Sequence, residues 1–429
     1  MLLGLILFIV LIILLLVGQP VAIALGIISL SWIILEDRSL MMVASKMYSQ
    51  MNQFTLLAIP FFILAGEIMN CSGITSRLVK FVNIMIGRVR GGLAQVNIYT
   101  SLLFAGITGA AISDVAALGA IFIPAMEEQG YTREYSAMIT AASSIVGPII
   151  PPSIIIVLYG SVTRVSIGAM FAGAIIPGII LSFVMSIMVG ITGKKKNLPK
   201  IEEKFTFNEL LISFIDSILA LIMPIIILGG ILGGIFTPTE AAAVALFYAL
   251  IVSVFIFRSM SWNKFIHALK SSLRTSAALL FIMGVSGILG WIISRINLPG
   301  ELTSLMLTVS DNPNIICLIV VGLLLFVGTW LDNGAACILM APILAPIMEN
   351  IGFNPIHFGI IMIVTLNIGL ITPPLGVCLF AAVEVGKVSF EKIVQEIWPF
   401  IILDVIVVLL LVYFPELTLF FPRLFGLVY

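Results

Sequence analysis

The chain has 429 residues, 61% of them hydrophobic and only 10% charged, with 21 basic and 21 acidic side chains balancing to zero; its mean hydropathy is +1.24. Soluble chains carry about 25% charged residues, so this composition excludes a soluble globular protein, and the neutral balance gives no broad attraction to nucleic acid. Four scattered cysteines (Cys71, Cys317, Cys337, Cys378) with no CxxC, and two distant histidines (His267, His357), exclude a disulfide framework and a metal cluster.

Apolar runs long enough to cross or enter a bilayer recur at 2–17, 21–35, 210–232, 241–257 and 397–413. At about 20 residues per span, the chain reads as an all-α polytopic protein with roughly eleven to thirteen membrane segments. The opening MLLGLILFIV lacks a basic n-region and a small-residue cleavage site, so it is expected as a retained first helix. Basic residues gather at Arg77, Lys80, Arg88 and Arg90, at Lys194–Lys196, Lys200 and Lys204, and at Arg258, Lys264, Lys270 and Arg274. The positive-inside rule places these connections in the cytoplasm, as solvated loops that set orientation.

Residues 102–126, LLFAGITGAAISDVAALGAIFIPAM, begin apolar, pass through small and polar residues and turn apolar again. Each side of the polar centre is shorter than a span, which predicts a re-entrant hairpin with its tip near Thr108–Asp114. Asp114 is an intramembrane acid and so a functional candidate; the favoured reading is a cap on the outgoing arm. At 147–153, GPIIPPS breaks a helix predicted over about 136–160, because Pro151 and Pro152 remove two donors and block continuation. The longest polar connection, about 193–209, is too short to fold as a domain, which needs at least about 50 residues. Further on, GGIFTPTEAAAVA (233–245) has the form of a capping box, with Thr237 as N-cap, Pro238 first in the helix and Glu240 third.

A second hairpin is predicted at 323–348, LLLFVGTWLDNGAACILMAPILAPIM, with its tip near Thr329–Asn333, and a second broken helix over about 357–382, where GLITPPL carries Pro373 and Pro374. Aligning the double prolines fixes an offset of 222 residues. Phe104, Gly106, Pro124, Met126, Glu127, Gly130 and Gly147 then coincide with Phe326, Gly328, Pro346, Met348, Glu349, Gly352 and Gly369 without a gap. The two halves are copies of one unit.

Interrupted membrane segments at matching places in two halves point to the binding site of a secondary transporter. A broken helix in lipid is tolerated only where protein buries it or it lines a cavity. It offers N–H groups suited to an anion's carboxylate and carbonyl oxygens suited to an alkali cation. Packing kinks would be the plain alternative, since Pro is common in membrane helices, but duplication together with a polar hairpin argues against it.

Beyond the repeat, AIPFFILAGEIM (58–69), IPAMEEQGYTREYSAMITAASSIVGPIIPPSI (123–154), GGIFTPTEAAAVA and GLITPPLGVCLF (369–380) resemble the large membrane subunit of tripartite ATP-independent periplasmic (TRAP) transporters over nearly the whole chain. The resemblance implies an ion-transporter-superfamily elevator fold with two inverted repeats, each with a re-entrant helical hairpin and a broken helix. It implies sodium-driven import of a small organic anion, a carboxylate such as a C4-dicarboxylate or sialic acid. It implies two partners as well, a separate small four-helix membrane subunit and a periplasmic substrate-binding protein, and a multi-pass location in the lipid bilayer of a bacterial inner membrane. No enzymatic activity is implied.

The family's sodium sites match Gly328, Gly369, Thr372 and Leu375, and the 222 offset carries them to Gly106, Gly147, Ile150 and Ser153. The expected substrate contacts are the hairpin tips, Thr108 and Gly109 in one copy and Thr329, Asp332 and Asn333 in the other. The first tip reads Thr108-Gly109-Ala110 where the family commonly has Ser-Gly-Ser, leaving fewer hydroxyls. Asp332 either supports cation binding or hydrogen-bonds backbone amides to hold the tip.

The expected layout is N-terminal scaffold helices over 1–55, a first transport repeat over 56–167, scaffold and connecting helices over 168–275, a second transport repeat over 276–390, and a C-terminal helix and tail over 391–429. No GxxxxGK[ST] supports ATP-driven pumping. Asp114 and Asp332 are not equivalent in the repeat, since Asp332 aligns with Ala110, which disfavours a paired-aspartate protease. Two occluding hairpins disfavour a channel. A stand-alone carboxylate symporter that needs no binding protein remains the alternative.

Overall fold

The computed structural model describes residues 10, 11, 13–15, 17–196, 198–200 and 206–428, and within them every regular element is helical. Most of the first apolar run, and Lys204, lie outside the described residues. Among the described residues, seven helices are long and apolar enough to cross a membrane: Phe54–Cys71, Ile167–Lys195, Phe207–Leu232, Pro238–Ile256, Trp262–Arg295, Pro313–Trp330 and Phe390–Tyr413. Three of the four shorter apolar helices, Ile154–Thr163, Pro355–Gly369 and Val377–Gly386, are arms of the broken helices, which is why counting apolar runs gives a larger number.

Both hairpins are present. The first pairs Gly92–Thr108 with Ala111–Glu128, the second Pro313–Trp330 with Asn333–Asn350. The turns fall where the polar centres lie. The ingoing arms, however, start about ten residues earlier than the sequence boundaries, so each arm has 17 or 18 residues. The first start follows GRVRG, with Gly91 in a left-handed conformation (φ 73°), and the second follows SDN, with Pro313 behind an Asn312 cap.

The broken helices run Arg133–Ser144 then Ile154–Thr163, and Pro355–Gly369 then Val377–Gly386. Both Pro–Pro bonds at the breaks are cis. The helices Ala111–Glu128 and Asn333–Asn350 differ by 222 at both ends, as do the starts at Arg133 and Pro355. Their first arms form the core, with Tyr135–Ser144 and Ile356–Gly369 buried at every position.

The two broken helices are also pinned to each other. Arg133 Nε donates to the Gly386 carbonyl at 2.6 Å, and the Tyr159 hydroxyl donates to the Pro355 carbonyl at 3.3 Å. The start of each therefore lies beside the end of the other, so they run antiparallel.

The capping box forms as expected. Thr237 N–H donates to Glu240 Oε2 at 2.8 Å, Glu240 N–H donates to Thr237 Oγ1 at 3.3 Å, and Pro238 opens the helix.

Candidate functional site

The two hairpin tips open onto one cavity of about 280 Å³. Gly109 and Ala110 line it from the first tip, Asp332 and Asn333 from the second, and Ile154 and Leu370 from the two breaks. The long helix Trp262–Arg295 closes it with Thr275 and Leu279. Among its lining residues there is one carboxylate, Asp332, and no basic side chain.

The first tip needs its glycine twice. Gly109 has φ 61°, open to few side chains, and a Cβ there would stand 2.8 Å from the Pro152 carbonyl oxygen. The tip thus rests on the backbone of the first break. Behind it, Thr108 Oγ1 donates to Asp114 Oδ1, so the Thr108 hydroxyl faces an acid.

Asp114 is completely buried and does not cap its helix. The N-cap is Ala110, which makes no side-chain cap bond; Asp114 stands a full turn inside and reaches back to Thr108. Among the described residues its Oδ2 has no hydrogen-bond partner, and it lies against Gly147, where any Cβ would collide with it. Gly106 packs on a scaffold proline, its missing Cβ 2.5 Å from Pro224 Cγ and 3.6 Å from the Pro151 carbonyl. Ile150 turns away from the break to pack on Gly178. Ser153, fully buried, caps the second arm by accepting from Ile156 N–H at 3.3 Å and donates to the Pro148 carbonyl.

In the second half, Gly328 and Gly369 meet backbone to backbone. A Cβ on Gly369 would lie 2.5 Å from the Gly328 carbonyl carbon and 2.9 Å from its oxygen. The Thr372 hydroxyl donates to the Ile368 carbonyl at 2.7 Å, which leaves its lone pairs to accept or coordinate. The Thr329 carbonyl accepts from Gly376 N–H at 3.4 Å, whereas its hydroxyl donates into its own helix, to Phe326. Asp332 caps the outgoing arm, accepting from Gly334 N–H at 3.1 Å. Leu375 is half-buried beside an exposed Pro374. Of the five residues expected at the tips, Gly109, Asp332 and Asn333 line the cavity, while Thr108 and Thr329 stand behind it.

Sequence reasoning missed Asn367. Its Oδ1 accepts from Asn333 Nδ2 at 2.7 Å, and its own amide donates to Ile363, so it ties the second tip to the second broken helix. An amide in the otherwise apolar run before GLITPP was the available signal. Gly66, whose Cβ would sit 2.8 Å from the Ile107 carbonyl, was also missed. It sits inside AIPFFILAGEIM and lets that helix seat under the first tip.

A buried carboxylate oxygen without a donor is costly. The Asp114 oxygen beside Gly147 therefore suits a hard cation held by oxygen ligands, and the crowded carbonyls at Gly328 and Gly369 are oxygens of the same kind.

The family model described as the tripartite ATP-independent periplasmic transporter, DctM component, matches residues 8–417. The chain belongs to this family. TRAP large permeases are transporter subunits and not enzymes. The chain is 39% identical over 417 residues to the sialic acid TRAP transporter large permease protein SiaM of Vibrio cholerae, covering 96% of each. It is 37% identical over 408 residues to the isethionate TRAP transporter permease protein DctMQ of Oleidesulfovibrio alaskensis, covering 95% of this chain and 64% of that longer one. Among solved structures, the YdaH transporter of Alcanivorax borkumensis, described as having an unusual topology, shares the fold at a TM-score of 0.59 and 14% identity, with 86% of each chain covered.

Proposed function

We propose that this TRAP permease is the large membrane subunit of a sodium-coupled importer of a small organic anion, seated in a bacterial inner membrane. The carrying observation is that two hairpin tips and two helix breaks, related by a 222-residue repeat, converge on one cavity. That is the arrangement secondary transporters use to hold substrate and coupling ion near the membrane midplane. The antiparallel course of the broken helices supports an inverted relation between the halves and re-entrant hairpins within them.

Sodium would be held in the second half by oxygens of Gly328, Gly369, Thr372 and Leu375. In the first half it would be held by those of Gly106, Gly147, Ile150 and Ser153, with Asp114 Oδ2 the added donor. The substrate's anionic group would sit at Gly109, Asp332 and Asn333, with its charge met by the bound cation and helix-end N–H groups, since no basic side chain lines that cavity. The repeats at 56–167 and 276–390 would move together against the remaining helices in an elevator motion.

The relatives named for sialic acid and for isethionate, the latter a sulfonate, support an anion as the shared chemistry. The DctMQ relative supports a small membrane subunit as a partner, and the family's name supports a periplasmic binding protein.

Reconstitution in liposomes tests the reading. Anion uptake should require an inward sodium gradient and both partners. Equal uptake with potassium alone would remove the sodium assignment. Full uptake by the single chain would leave the stand-alone symporter.

A further inference from the structure

The basic clusters that mark the cytoplasmic side also locate the opposite one. From Lys195 the helix back to Ile167 has 29 residues, about 43 Å at 1.5 Å per residue. The segment before it, Val162–Ser166, therefore lies on the extracytoplasmic side. Trp262–Arg295, 34 residues from the third basic cluster, brings Trp291, Ser294 and Arg295 to the same side.

Two cavities open there, of about 470 and 510 Å³, and Arg164 lines both. Arg164 is exposed and held at φ 63° where the half-helix Ile154–Thr163 ends; among the described residues no hydrogen bond or ion pair holds its side chain. Trp291 forms part of the second cavity's wall, and its ring carries two more cations, Lys46 at 5.8 Å and Arg295 at 5.7 Å from the centroid. Among the described residues Glu349 is the one acid lining either cavity. Three basic groups around an outer vestibule run against the bias that gathers Lys and Arg inside, so membrane orientation does not explain them.

The vestibule leads inward. The second cavity reaches Val162 and Ala341, and the central cavity reaches Leu158 and Gly334, one and two turns deeper on the same two helices. A ligand on this route passes from a cationic vestibule into a chamber lined by no cation.

We propose that Arg164, with Trp291 and the Lys46 and Arg295 cations on its ring, forms an extracytoplasmic capture site that takes the anionic group of the substrate before it enters the central cavity. The substrate class rests on the transport reading above. The anion preference of the vestibule is measurable without transport.

The test uses cysteine reporters in the full chain, in a Cys71→Ser background: Ser166→Cys in the first cavity and Ser294→Cys in the second. Each is modified by the sulfonate reagent MTSES and by the trimethylammonium reagent MTSET, and the ratio of the two rates cancels changes in thiol ionisation. Arg164→Gln should lower the MTSES:MTSET ratio at both reporters by about tenfold at low ionic strength, the Coulomb expectation for removing one charge about 6 Å away in water when the probes have opposite signs. Arg164→Lys should keep the ratio near that of the parent, and Lys46→Gln should lower it at Ser294→Cys alone. A ratio unchanged by Arg164→Gln at both reporters overturns the site. If the ratio is unchanged but Arg164→Gln abolishes uptake from a binding protein, the arginine is a protein-docking contact, which also overturns it. A ratio that falls in a chain that imports no anion upholds the site and defeats the transport reading instead.

Discussion

In the first repeat, a buried chain of polar groups joins the hairpin to the broken helix. Asn97 Nδ2 donates to Thr140 Oγ1 at 2.8 Å, Ser101 Oγ to Ser143 Oγ at 2.9 Å, and Ser143 Oγ to Asn97 Oδ1 at 3.3 Å. The equivalents 222 residues on are Ile319, Leu323, Met362 and Thr365. Ile319 and Leu323 are exposed, so the second repeat lacks this polar chain, and the buried side chains of its ingoing arm, such as Ile316, Val320 and Leu324, are mostly apolar. The breaks differ in parallel. Pro151, Pro152 and Ser153 are buried, whereas Thr372, Pro373 and Leu375 are only half-buried and Pro374 is exposed. One backbone shape is thus held by two chemistries, directional bonds in the first copy and close backbone contact with apolar filling in the second.

The largest effect should come from the backbone contact. Gly369→Val puts a side chain into the Gly328 carbonyl, and backbone cannot move aside. Overpacking costs about 1–3 kcal/mol and occasionally more, and this substitution should reach or pass the top of that range, seen as a lower unfolding midpoint in detergent and lost uptake. At the equivalent Gly147 the obstacle is the Asp114 side chain, so Gly147→Ala should cost less than Gly369→Ala.

Next come the two aspartates. Replacing potassium by sodium should raise the parent's unfolding temperature. Asp114→Asn should abolish that increment, because the buried orphan oxygen would become part of an amide. Asp332→Asn should retain it, since Asn and Asp serve about equally at an N-cap. Equal behaviour of the two variants would break the comparison.

Asn97→Leu should destabilise by about 1–3 kcal/mol, the net worth of the two buried hydrogen bonds it removes. The smallest contrast is at paired positions. Ser143→Ala should cost about 1 kcal/mol, the net worth of a typical hydrogen bond. Thr365→Val should be nearly neutral, because that hydroxyl donates only to Ile361 in its own helix.

The broken helices and hairpin tips were legible because proline and small polar residues interrupt apolar runs, and a repeat doubles the signal. Pro151 and Pro373 alone locate both breaks. Where the first hairpin arm begins was not legible, since Gln95, Asn97, Thr100 and Ser101 make its opening turns polar and the apolar run shows only from Leu102. Pairwise chemistry was hidden too. Nothing in ISDVAALG reveals that Asp114 reaches back to Thr108 instead of capping, because both uses need a carboxylate within a turn of the helix start. Asn367 was visible as an amide but not its partner, Asn333, which lies 34 residues away in the chain.

The two pins between the broken helices set how the centre of the protein comes apart. Sliding one broken helix along the other would break the Arg133–Gly386 and Tyr159–Pro355 bonds together, at opposite ends of the pair. Local opening of either helix alone is therefore penalised at both ends. Proteins open in cooperative units whose boundaries follow such shared contacts, so the amides of 133–144 and 355–369 should exchange with solvent deuterium at one common rate, slower than those of the surface helix Met41–Met51, which has no buried residue. Arg133→Gln should unlink the two arms' exchange rates before it lowers either one's helicity.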